Sequence, residues 1–306
     1  MPEITRHDIE IASERIAPHV RRTPVVEVEP GLGGMPGCRL TLKLDFLQPT
    51  GSFKVRGAFN HLLGTAVPAD GVVASSGGNF GLAVAHAARE LGVPATVFVP
   101  STSPVAKIDR LRDLGAAVRV VEGYYADAHA ASVEWRASRD VLVCHPYDQP
   151  RVVAGQGTCG REILAQVPDA DAVLVAVGGG GLIGGIASWI REDARVVGVE
   201  TAGTPALHAA RRAGGPVDVD VGGVAASSLG APRIGAHAWS ANRWIDDAVL
   251  VADEAIDEAR RWLWEAARLV AEPGALTPLA ALLTGAWTPP PDARVVALVC
   301  GANVGP

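Results

Sequence analysis

The sequence predicts an α/β fold with mainly parallel sheet on two observations: short β-branched runs alternate with helical patterns almost to the end, and glycine-rich turns follow several of those runs. Parallel strands need a crossover between them, which the intervening helices supply. The first run is 40–44, Leu-Thr-Leu-Lys-Leu. Pro49 and Gly51 then make a turn, and Thr50 or Ser52 stands where it could cap a helix beginning near Phe53. Strand patterns at 71–74 and 95–99 bracket an alanine-rich helix at 81–91, and a strand at 117–121 separates helices at 105–114 and 125–138. Next come a strand at 141–144, a helix at 155–165, strands at 173–177 and 195–199, a helix at 254–270 and a last strand at 295–300. Pro289, Pro290 and Pro291 form a brief turn before that strand, and no repeat or low-complexity segment interrupts the pattern.

With 306 residues and 48% hydrophobic content, the chain can bury a large core as one domain or two lobes. A net charge of -6 and a pI near 5.8 argue against nucleic acid or an anionic membrane as the main partner, and leave a small molecule. The four cysteines, Cys38, Cys144, Cys159 and Cys300, form no C-x-x-C pair, so neither zinc nor a disulfide framework is indicated and a reducing cytoplasm is expected. Residues 1–8 lack an apolar signal core. The uncharged run 172–190 has the length of a membrane span, but its glycines at 178–181, 184 and 185 fit a buried strand, loop and helix instead.

Three segments carry chemistry. Lys54 falls in the first turn of its helix, where the helix dipole disfavours a positive charge. Gly178, Gly179, Gly180, Gly181 and Leu182 follow a strand and open a helix, aiming free backbone N–H groups at a phosphate. The same run contains G-x-G-x-x-G at 179, 181 and 184, with Glu200 at the end of the next strand, so a dinucleotide reading has to be weighed. Against it, such a fingerprint normally belongs to the first βα unit of its domain, and this loop lies past the middle of the chain. Ser75-Ser76-Gly77-Gly78-Asn79-Phe80-Gly81 lies between a strand and a helix, where its N–H groups and hydroxyls can hold a carboxylate. No G-x-S-x-G or H-E-x-x-H motif is present, and His86, His129 and His237 read as satisfied structural residues.

The stretch Pro49-Thr50-Gly51-Ser52-Phe53-Lys54-Val55-Arg56-Gly57-Ala58 strongly resembles the lysine motif of the pyridoxal-phosphate (PLP) enzymes of the tryptophan-synthase-β fold group, in particular the serine/threonine dehydratases and their relative serine racemase. The glycine run, the asparagine loop and Cys300-Gly301-Ala302-Asn303 are similar to the corresponding segments of that family and lie in its order. Three further stretches agree: His145 to Thr158, Val224 to Ala238, and Glu272-Pro273-Gly274. The resemblance implies a fold type II PLP enzyme of two lobes, each with a mainly parallel twisted sheet flanked by helices. A small lobe, 70–145, would be inserted between 1–69 and 146–306.

By the same resemblance Lys54 carries the cofactor as a Schiff base and Phe53 packs on the pyridine ring. Gly178 to Leu182 hold its phosphate, Asn79 bonds its phenolic oxygen, and Cys300 makes a neutral contact to the pyridine nitrogen. Ser76, with Gly77 and Asn79, takes the substrate carboxylate. Glu200 and Thr204 resemble a segment binding a structural cation, monovalent or divalent; lacking a second carboxylate, the chain favours a monovalent ion or none. The chain departs from the family at Gly77, where serine racemase has a second serine, at Phe80 for histidine, at Ala302 for glycine and at Gly305 for aspartate. Racemisation needs a proton-transferring group on each face of Cα and elimination needs only Lys54, so Gly77 favours a dehydratase. The expected activity is conversion of L-threonine, L-serine or both to 2-oxobutanoate or pyruvate plus ammonia, with an amino-acid racemase, a 3-hydroxyaspartate-type eliminase or an NAD(P)-dependent oxidoreductase as alternatives. A homodimer is implied, and with the chain stopping at Pro306 no C-terminal regulatory domain is expected.

Overall fold

The computed structural model describes residues 3–304 apart from positions 30 and 36; Gly305 lies outside the described residues. Helix α1 (Arg6–Ile16) starts at a reciprocal cap, in which the Thr5 hydroxyl accepts from the Asp8 amide and the Asp8 carboxylate accepts from the Thr5 amide. The chain continues through β1 (Val25–Glu27), β2 (Arg39–Leu44), α2 (Lys54–Leu63), β3 (Val72–Ser75), α3 (Asn79–Leu91), β4 (Ala95–Pro100), α4 (Val105–Asp113), β5 (Ala117–Val121), α5 (Tyr125–Arg136) and β6 (Leu142–Cys144). There follow α6 (Pro150–Gln166), β7 (Ala172–Ala176), α7 (Gly181–Ile190), β8 (Arg195–Thr201), α8 (Ala206–Ala213), α9 (Ala226–Leu229) and α10 (Ala236–Ser240). β9 (Asp247–Val251), α11 (Asp253–Ala267), α12 (Thr277–Leu283) and β10 (Arg294–Val299) complete it.

The strands form two sheets, a six-stranded one in the order β1-β2-β10-β7-β8-β9 and a four-stranded one in the order β5-β4-β3-β6. All pairings are parallel except the edge pair β1 and β2. Every strand expected from the sequence is present. The uncharged run at 172–190 is β7, a turn and α7, and no helix among the described residues is long and apolar enough to cross a membrane.

Each sheet has its own apolar core. The larger gathers the interior strands β7, β8 and β10 with α7, α11 and α12. The smaller joins Val72, Ala74, Val97 and Val99 to α3, and also takes in Val55, Ala58 and Phe59 of α2 and Val152 of α6. Helix α2 therefore packs on the smaller sheet while its N-terminal residue, Lys54, follows from a strand of the larger one.

A buried ion network anchors that helix. Arg56 donates to both oxygens of Asp45 at 2.9 and 2.6 Å, and to both oxygens of Glu162 at 2.8 and 2.9 Å. Lys43 Nζ also donates to Glu162, at 2.8 Å, and Thr23 gives Asp45 a hydroxyl bond at 2.8 Å. Burial alone would raise the Asp45 carboxyl, but Arg56, with Lys43 and Thr23, holds it below its ordinary value. This network ties β2, α2 and α6 together and fixes the backbone two residues from Lys54. Replacing Arg56 by methionine strands carboxylates in the interior, so R56M should lose about 3–5 kcal/mol in a urea melt. Because the folded-state pKa of Asp45 is depressed, its contribution is complete above the unfolded value and lost on acidification. The unfolding free energy of the parent should accordingly fall as pH drops below about 4, and less steeply in D45N.

Candidate active site

A cavity of 420 Å³ opens where the carboxyl ends of both sheets meet, the place where parallel α/β sheets bind ligands. The loops after β3, β4, β6, β7 and β10 all line it, and Phe53 and Lys54 enter from the turn between β2 and α2.

Lys54 is the first residue of α2, as expected, but neither Thr50 nor Ser52 caps the helix. The N-cap is Phe53, without a side-chain bond, and the hydroxyls of Thr50 and Ser52 are both buried and unpartnered among the described residues. The turn is held instead by backbone, with the Phe53 amide donating to Cys300 O at 3.0 Å. Lys54 Nζ donates to the Pro146 carbonyl at 2.8 Å and lies 5.0 Å from the Phe53 ring centroid and 5.8 Å from that of Phe80. Burial brings the ammonium down to about 8, with Cys300 and Glu272 opposing. Desolvation therefore lowers the lysine in the same direction as the helix dipole expected above, and Phe80, standing where a histidine was expected, supplies part of that apolar wall.

The loop Gly178 to Gly181 connects β7 to α7, with Leu182 in the first turn of the helix. Gly180 has φ +85°, a region closed to most side chains, and a Cβ at Gly179 would stand 2.3 Å from the Tyr147 ring. Tyr147 thus packs directly on the loop, while the free N–H groups at the start of α7 are left for the cavity.

Asn79 opens α3. Its amide nitrogen donates to Glu272 Oε1 at 2.7 Å, and its oxygen accepts from Asn303 at 2.7 Å. Ser76 lines the cavity, and its hydroxyl accepts a long bond, 3.4 Å, from the Gly78 amide. Cys300 also lines it, and burial pushes its thiol up, so it remains neutral. Sequence reasoning missed Ser103, Lys107, Tyr125 and Tyr147, all on the cavity wall. Ser103 is the most telling, since its Oγ lies 2.8 Å from where a Cβ on Gly77 would be. That hydroxyl, contributed by the next loop, occupies the space a serine at 77 would use. Only a three-dimensional neighbour relation, the pairing of β3 with β4, brings the two together.

Glu200 and Thr204 lie away from this cavity. The Glu200 carboxylate accepts the Leu207 and His208 amides at 2.8 Å each, serving as a cap for α8, and burial raises it to about 8. Thr204 shares a hydroxyl bond with Thr201 at 3.0 Å. Buried at the start of α8 and absent from the cavity wall, Glu200 is not placed to bind a ribose hydroxyl beside the glycine loop, which removes the acidic residue that a dinucleotide site needs. His237 departs from expectation: it is buried, and neither ring nitrogen has a partner among the described residues.

Only the neutral amine is a nucleophile, so labelling of Lys54 in the cofactor-free protein by an acylating reagent should accelerate as pH rises through about 8, read by peptide mass. A profile rising only near 10.4, the value of an ordinary lysine, would contradict this.

The family model described as pyridoxal-phosphate dependent enzyme matches residues 16–301. An L-threonine ammonia-lyase of Geobacter sulfurreducens is 38% identical over 304 residues, covering 97% of this chain and 75% of that protein. Among solved structures, a T.th. threonine deaminase superposes with a TM-score of 0.91 at 34% identity, covering 99% of each chain. Maize serine racemase superposes with a TM-score of 0.93 at 29% identity, covering 99% of this chain and 95% of that one. The chain belongs to the pyridoxal-phosphate dependent enzyme family, with the fold type II architecture.

Proposed function

We propose that the chain is a PLP-dependent ammonia-lyase acting on L-threonine, L-serine or both, giving 2-oxobutanoate or pyruvate and ammonia. One observation carries the reading: a half-buried lysine of lowered pKa and a phosphate-type glycine loop face a single cavity. The residues fit the cofactor. The Lys54 amine is within reach of its neutral form, Gly178 to Leu182 can take the phosphate, and Cys300 offers an uncharged thiol to the pyridine nitrogen.

PLP bound there supplies an electron sink for the pair left on Cα when a proton is removed. Lys54, steered by the Pro146 carbonyl, takes that proton. Ser76 and the N–H groups at the start of α3 hold the substrate carboxylate, and Asn79 turns a donor toward the cofactor ring. Phe53 and Phe80 give Lys54 an apolar wall on two sides. The β-hydroxyl leaves as water, the proton it takes up balancing the one Lys54 removes from Cα, and the enamine released tautomerises to the imine and adds water to give the 2-oxo acid and ammonia. In this reading 70–145 is the smaller lobe, and the protein works as a cytoplasmic homodimer. Glu200 and Thr204 remain a proposal for a cation.

The test is a visible spectrum of the PLP-supplemented protein with 2-oxo acid assayed after adding L-threonine or L-serine. The parent should show a band that responds to substrate while oxo acid accumulates, and K54A should lose both. A parent with the band but no oxo acid would refute the substrate assignment. A second reading, racemisation, draws on Ser103, whose hydroxyl stands in for the one Gly77 lacks; chiral analysis of residual serine should show D-serine if it holds, and none if elimination alone operates.

A further inference from the structure

A relay of four side chains crosses the cleft. Arg110 of α4 donates to Asn303 Oδ1 at 2.7 Å, Asn303 Nδ2 donates to Asn79 Oδ1 at 2.7 Å, and Asn79 Nδ2 donates to Glu272 Oε1 at 2.7 Å. Its members alternate between the two sides: Arg110 and Asn79 belong to helices on the four-stranded sheet, while Asn303 follows β10 of the six-stranded one and Glu272 precedes α12, which packs on that sheet.

The sense of the relay is set by what each group can do. A guanidinium has donors only, so the Asn303 oxygen must face Arg110 and its nitrogen must turn inward. There the nitrogen also donates to the Thr50 carbonyl at 2.9 Å, at the turn that leads into Lys54. With its oxygen taken by Asn303, Asn79 is left with its amide nitrogen as the end facing Glu272 and the cavity. That nitrogen has a second hydrogen to give to an acceptor in the site.

We propose that Arg110 is a positioning residue for Asn79, acting through Asn303, so that the donor presented by Asn79 depends on the contact α4 makes across the cleft. Without the Arg110 guanidinium the charge-assisted bond that orders Asn303 is lost, and Asn79 loses its fixed sense. The inference rests on the reading of this cavity as the PLP site.

The experiment compares the parent, R110M, R110K and N303D as PLP-loaded proteins, recording the pH midpoint of the visible band together with kcat and KM for L-threonine. Arg110 is exposed, so its variants leave the core intact. In R110M the midpoint should shift and kcat should fall about tenfold, the loss of one charge-assisted bond, with KM changing less. R110K, which retains a donor-only group, should recover most of both. N303D leaves nothing to donate to Asn79 and should shift the midpoint at least as far as R110M. Midpoints identical to the parent in both R110M and N303D would overturn the proposal, even if either variant melts earlier. A parent with no visible band would instead overturn the cofactor reading on which it rests.

Discussion

The structure depends on confining one amine to a half-buried, largely apolar part of the cavity wall. Lys54 is enclosed by Phe53 and Phe80 and held at the Pro146 carbonyl, and burial lowers its pKa to about 8. A charge so placed is costly, and that cost lowers the pKa only while the surrounding backbone is rigid, because any slack would let water return or the side chain swing out. Rigidity comes from two residues along the helix, where the buried Arg56 joins the buried Asp45 and the partly buried Glu162. The lowered lysine and the buried arginine are thus two parts of one arrangement: a cation that must stay charged anchors a helix whose first residue must be able to shed its proton.

The same logic explains why the site lies between the sheets. Each sheet presents the carboxyl ends of its parallel strands, and the cavity receives loops from both. The larger sheet brings the glycine loop and Cys300, and the smaller brings Ser76, Asn79 and Ser103. Helix α2 packs into the smaller core yet begins at the turn after β2, so Lys54 sits where the two meet.

Much of this was legible in the sequence. The alternation of β-branched runs and helical patterns located the interior strands, because buried parallel strands are continuously apolar. Among what escaped were the two edge strands of the larger sheet, β1, only three residues long, and β9, only partly buried, and also α12, Thr-Pro-Leu-Ala-Ala-Leu-Leu, which is buried all round and shows no amphipathic stripe. Lys54, the glycine loop and Asn79 were found through motifs local in sequence. Arg110, Ser103 and Tyr147 were not, since their relation to the site comes from strand order and loop packing. The expected cap at Thr50 or Ser52 failed for a related reason: the turn is secured by a backbone bond from Phe53 to Cys300, nearly the whole chain away, and no local pattern announces it.

The sequence contains three lysines, Lys43, Lys54 and Lys107, which makes one measurement decisive. The protein is incubated with PLP, the adduct is reduced with borohydride, and its tryptic peptides are mapped by mass. Lys43 is buried in the ion network and Lys107 lies on the cavity wall, so each is a real competitor in place if not in chemistry. The account predicts the cofactor mass on Lys54 alone, at one equivalent per chain. Stable labelling of Lys107 in preference to Lys54, or no reducible adduct at any of the three, would contradict it.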